Sequence, residues 1–143
     1  MADYNQYDPG RVTVVFKGIL LRGFMDGTFV NAERTEDGFS MAVGAAGDVT
    51  RVRNRNRTGT VTVTLKAESP SNDALSTVAR LDELFGLGTG SLMVRDLLNR
   101  TIIAADSAWI RKVPAAPFAD EASGREWMFD CAELEMFIGG AIL

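Results

Sequence analysis

Residues 58–65, TGTVTVTL, constrain the fold more than any other stretch of the chain. Val61, Val63 and Leu65 alternate with Thr60, Thr62 and Thr64, and a period of two sends the two sets to opposite faces of an extended strand. β-branched residues suit a pleated surface, here with one face buried and the other polar yet uncharged. Such a strand needs a sheet around it. Val12, Val14 and Phe16 alternate with Thr13, Val15 and Lys17, and Gly18 predicts a kink or bulge before the short apolar run at 19–21. Residues 91–98 and 101–113 read as a further pair of strands around Asn99-Arg100. A last strand is expected over 125–138, where Leu134, Met136 and Ile138 alternate with Glu133, Glu135 and Phe137.

One segment has helical spacing instead. Ala74, Leu75, Val78, Leu81 and Phe85 form an apolar stripe over 70–85, with Ser69 or Ser71 as candidate caps, Pro70 in the first turn, Asp73 near the dipole's positive end and Gly86 as terminator. Asp26-Gly27 and Asp37-Gly38 bracket TFVNAERTE, and Asp-Gly between strand-like runs is a strong hairpin cue. A turn near 35–38 is expected to pair 28–34 with 39–43, so that 31–50 stands out as a protruding hairpin or loop. Residues 1–10 read as an arm, 114–124 as a loop and 139–143 as an apolar tail. Strands on either side of one helix predict a mainly β fold. Its form is two packed β-sheets in a sandwich or partly open barrel, with one flanking α-helix and an extended hairpin loop, in a single domain over 1–143.

Chemistry is sparse. With 143 residues and 46% apolar composition the chain can build one core. It has no histidine and one cysteine, Cys131, which removes the commonest general base and metal ligand and any internal disulfide. Cys131 sits among Met128, Phe129 and Ala132, where a buried, inert thiol is expected. Glu133 and Glu135 could share a strand face, but nothing around them points to a raised pKa. GLGTG at 86–90 follows a helix and opens a strand, the reverse of what a phosphate-binding loop requires. The two Asn-Arg-Thr triplets are chance matches to the glycosylation pattern. No apolar run approaches the roughly 20 residues that cross a bilayer, and the opening decapeptide has no secretion-signal pattern. The expectations are no enzymatic activity, no cofactor, no metal and no membrane anchor.

Charge placement says more than the net charge of −4. Residues 51–67 hold five bases and no acid, whereas 120–143 hold six acids and one base. Arg51, Arg53, Arg55 and Arg57 fall on alternate residues and share one face if 51–57 stays extended. Nucleic-acid gripping would use such a comb, yet no aromatic residue interleaves it and the rest of the chain is acidic. Pairing with carboxylates of a neighbouring copy is preferred, because a planar bidentate donor suits interface ion pairs and unlike patches suit head-to-tail assembly.

The run GDVTRVRNRNRTGTVTVTLKAESPSNDALSTVARLDELF at 47–85 resembles the central block of tail tube proteins of contractile-tailed bacteriophages. In these a G-[DE]-x-T-R-V segment leads into a TGTVTVTL-type strand and an SPSND helix start, and the opening strand ending near GFMDGTFV also fits. The density of arginine at 53, 55 and 57 departs from that pattern. The resemblance implies a fold similar to the Hcp tube subunits of type VI secretion, with six copies closing into a ring and rings stacking into a tube inside a contractile sheath. It implies a virion-tail location after assembly in the host cytoplasm. The implied partners are other copies of the chain and the sheath, tape measure, baseplate hub and tail terminator proteins, with double-stranded DNA passing through without specific binding. On this reading Arg51, Arg53, Arg55, Arg57, Glu36, Asp37, Phe39 and Met41 make contacts between subunits or rings. A conduit should not hold DNA, so Thr60, Thr62 and Thr64 are candidate wall residues, with Glu133 and Glu135 adding negative potential. Competing readings are a monomeric β-sandwich tail, baseplate or ligand-binding module, and a tube subunit of a headless bacteriocin-like or type VI secretion particle.

Overall fold

In the computed structural model, which describes residues 12–25, 27–97, 99–117 and 123–140, the TGTVTVTL block lies inside an eight-stranded sheet. The strands are β1 (Val12–Phe16), β2 (Ile19–Leu20), β3 (Val30–Arg34), β4 (Phe39–Val43), β5 (Val49–Arg53) and β6 (Gly59–Lys66). The helix α1 (Ser71–Phe85) follows, then β7 (Gly90–Asp96), β8 (Ile102–Lys112), β9 (Gly124–Cys131) and β10 (Glu135–Phe137). The main sheet runs β2-β1-β7-β8-β9-β6-β3, with β10 on β8, and β4 and β5 form a separate two-stranded sheet. The arm 1–10, Asp26 of the first Asp-Gly pair and 141–143 of the apolar tail lie outside the described residues.

The sheet curls over its own core. Phe16 of β1 packs on Phe129 of β9 with ring centroids 4.8 Å apart, although β7 and β8 lie between their strands. Val61, Val63 and Leu65 are fully buried against them, as the threonine alternation requires. Each such side chain contributes roughly 1.5–3 kcal/mol by leaving water. β2 and β3 end the sheet without pairing to each other, so the barrel stays partly open.

The helix is fixed by its SPSND start. The Ser71 N–H donates to Ser69 Oγ, the Ser69 hydroxyl donates to the Arg22 carbonyl, and the Arg22 N–H donates to Ser71 Oγ. Ser69 is therefore the serine that serves the helix start, while Pro70 occupies the cap position with no side-chain cap bond. Asn72 accepts from Trp127 Nε1 at 2.9 Å and donates to the Lys66 carbonyl at 2.8 Å, which ties the helix to β9 and the end of β6. Gly23 lets this joint close, because its φ is 75° and a Cβ there would lie 2.7 Å from Ser69 Oγ.

Four expectations need correction. Gly18 makes no bulge: Lys17 and Gly18 both have positive φ and form a two-residue turn that folds β2 back on β1. The turn near 35–38 does not pair 28–34 with 39–43. Instead β3 pairs with β6, since Val30 and Ala32 pack against the core, and β4 pairs with β5 around a turn at 44–48. The hairpin thus spans 39–53 rather than 31–50, and GAAGD at 44–48 is its tip. The last strand divides into β9 and β10 at 132–134, where Leu134 turns inward, is fully buried and donates its N–H to the Arg57 carbonyl.

Candidate assembly surfaces

The hairpin of β4 and β5 is the least accommodated part of the chain, with all ten strand residues exposed. Its register sets Phe39 opposite Arg53, Met41 opposite Arg51 and Val43 opposite Val49. One face is therefore apolar at Phe39, Met41, Val43 and Val49 and basic at Arg51 and Arg53. The Arg51 guanidinium stacks over the Phe39 ring, 3.6 Å from its centroid. An isolated two-stranded hairpin is marginal in water, and this one offers five large apolar side chains to solvent, four on this face and Val52 on the other.

Past Arg53 the comb loses its regularity. Asn54 Oδ1 accepts from the Asn56 N–H and Asn56 Oδ1 from the Thr58 N–H, each bond reaching two residues along the chain. These local turns compete with strand geometry, and β5 ends at Arg53, so Arg55 and Arg57 lie outside the strand. The condition that 51–57 stays extended is met as regular strand only through Arg53. Arg57 pairs with Glu133 of its own chain at 3.3 Å. The pair is half-exposed and contributes about 0–1 kcal/mol. Arg34, Arg53, Arg55 and Arg57 border a notch of about 320 Å³ at the hairpin base, where Glu36 Oε2 accepts from Asn54 Nδ2 at 2.6 Å. Asp37 lies just outside β4, at the same bend.

Thr60, Thr62 and Thr64 face away from the core. Glu33 of β3 and Asp130, Met128 and Glu126 of β9 stand beside them on the same face. From β8, Arg111 reaches across with Nε and Nη2 at 2.9 and 2.6 Å from Asp130 Oδ1, and Nη2 donates to Thr60 Oγ1 at 3.2 Å. The hydrogen bond to Asp130, and then the charge of that carboxylate, raises the Arg111 pKa above its ordinary value. Sequence reasoning missed the cluster because its partners lie 19 and 51 residues apart. Glu133 and Glu135 lie beyond the Thr60 end of this row, around the bend at 132–134, where they border a depression with Asp106.

The other half of the curled sheet presents a different outer face. Leu20, Val15, Met93 and Ala104 line up across four strands, and Ile102 stands opposite Phe137. Arg95 opposite Ile102 and Glu135 opposite Ala104 interrupt this zone, which is otherwise more apolar than the threonine face. Cys131 is buried, and burial first and Asp130 second push its thiol up to about 11, so it stays protonated and unreactive. Among the described residues no group of acidic or thiol side chains is placed to hold a metal ion.

A family model described as the bacteriophage PhiTE tail tube protein matches residues 21–139. Structural protein ORF10 of Pseudomonas phage KPP10 is 31% identical over 142 residues, covering 94% of this chain and 82% of that protein. The fold is similar to the sheath/tube terminator of the PVC extracellular contractile injection system in its extended state (TM-score 0.68, 10% identity, 96% of this chain and 100% of that one). It is also similar to a chain of the PVC sheath-tube complex in the extended state (TM-score 0.60, 10% identity, 96% and 93%). A third likeness is to the tube-terminating cap of the anti-feeding prophage (TM-score 0.65, 10% identity, 96% and 94%). At such low identity these three establish the fold alone.

Proposed function

The chain belongs to the bacteriophage tail tube protein family, a structural component of the virion tail, and from that premise we propose that it assembles as stacked hexameric rings into the inner tube of a contractile tail. The tube is the conduit for DNA ejection, built in the host cytoplasm and enclosed by a sheath, with tape measure, baseplate hub and terminator proteins as further partners. The observation that carries this reading is the hairpin: an exposed strand pair with an apolar and basic face has no partner within the described residues and gains one in a neighbouring copy. Unpaired edges at β2 and β3 likewise gain partners when sheets join between copies.

Two outer faces of different chemistry support the orientation. A water-filled bore suits the threonine face, and the apolar zone around Met93, Ile102 and Phe137 suits burial against other subunits. The similar folds include terminators as well as a chain of a sheath-tube complex, so the family model rather than the fold favours the tube reading. Sedimentation and negative-stain microscopy of the purified protein test it. Rings or tubes appearing with rising concentration are expected, and a monomer at every concentration and salt would refute self-assembly.

A further inference from the structure

The threonine face carries more cations than a non-adhesive DNA path should tolerate. Lys66, Arg111 and Lys112 lie on it with Glu33, Glu126 and Asp130, so the six formal charges cancel. Arg111 is the dangerous one. A guanidinium grips phosphate through a fork of parallel N–H donors, whereas lysine is a hydrated point charge. The edge that forms the best fork is the Nε and Nη2 pair, and Asp130 Oδ1 occupies both. Thr60 Oγ1 takes a further Nη2 contact, which holds the side chain flat along the sheet rather than erect above it. Glu33 sits on the far side of Thr60, one strand further away, so Asp130 is the acid that holds Arg111.

We infer that Asp130 is a quenching residue, which keeps the Arg111 fork from clasping the phosphates of DNA moving along this face. The inference rests on the proposed reading that the threonine face lines the bore. Its physical basis is counterion release: a cation already neutralised by a fixed carboxylate displaces few counterions from DNA and so adds little affinity, whereas a freed one adds a full phosphate contact. Arg111 would then supply cross-strand order between β8, β9 and β6 without making the wall sticky.

The test compares assembled tubes of wild type, Asp130→Asn, the double variant Arg111→Gln with Asp130→Asn, and Thr62→Lys. Each is mixed with a short double-stranded DNA fragment, pelleted, and assayed for retained DNA between 50 and 200 mM salt. Asp130→Asn tubes should retain more DNA than wild type, with retention weakening about three- to fourfold per phosphate contact across that range. The double variant should return to wild-type behaviour. Thr62→Lys, which adds an unquenched cation to the same face, should retain DNA too. Should Asp130→Asn tubes fail to form, Asp130→Ser carries the same comparison. Retention by Thr62→Lys but not by Asp130→Asn overturns the quenching role and leaves the bore reading intact. Equal retention by the single and double variants also overturns it, because the gain would not come from Arg111. If no variant retains DNA, the face does not meet DNA and the bore reading itself fails.

Discussion

Met41→Ser separates assembly from folding. Met41 is 71% exposed at the centre of the hairpin's apolar face and lies opposite Arg51 across the strand pair. Complete burial of a methionine side chain is worth roughly 1.5–3 kcal/mol. Because most of Met41 remains open to a neighbour, losing the thioether removes about 1–2 kcal/mol from each contact it makes in a tube. That is a drop of about 5- to 30-fold in the association constant per contact. The folded monomer loses almost nothing, since exposed substitutions change stability by about 0.5 kcal/mol or less. The critical concentration for polymerisation, read by pelleting, should rise by about tenfold while the melting temperature measured below that concentration stays constant. An unchanged critical concentration would refute the reasoning that the hairpin is buried between copies.

Arg53→Glu with Arg55→Glu should block polymerisation at low salt and leave the monomer's circular dichroism unchanged; tubes of normal length would show that these arginines are merely solvated. Gly23→Ala should destabilise the subunit by about 1–3 kcal/mol, because it forces a side chain into positive φ and against Ser69, and calorimetry should show melting roughly 3–10 °C lower. Cys131 should resist thiol reagents in the native state at pH 8 and react on unfolding. Its folded pKa of about 11 exceeds the ordinary 9.0, so its contribution to stability is complete below about pH 9 and is lost as pH rises toward 11, which urea titrations across that range can follow.

The sequence is most informative where one periodic signal coincides with burial. Val61, Val63 and Leu65 alternate with threonines because β6 has core on one side and solvent on the other, and that pattern can be read without partners. The helix is legible from its start and from Leu75 and Val78, which are buried, but its expected stripe fails in the last turns, where Leu81 and Phe85 are exposed, and Ala79 is buried in their stead. The joint of Ser69, Asn72, Gly23 and Trp127 is not legible, since Trp127 and Asn72 are 55 residues apart. The hairpin shows how a local cue can lose to tertiary packing. Asp37-Gly38 is a good turn sequence, but Val30 and Ala32 bury better against the core beside β6 than they would beside Phe39 and Met41. Arginine spacing alone points to an extended strand over 51–57, whereas Asn54 and Asn56 bond the backbone two residues on and the strand ends at Arg53. The pairing of Arg111 with Asp130 follows from strand order and from a register shift in β8 between Ile110 and Lys112, neither of which a linear pattern encodes.

A cryo-microscopy reconstruction of the assembled protein tests the central claim most directly. The account predicts a hollow tube with Thr60, Thr62 and Thr64 facing the bore, and with the β4–β5 hairpin buried against another copy. A solid or absent assembly, or a bore lined by Arg51 and Arg53, would contradict it.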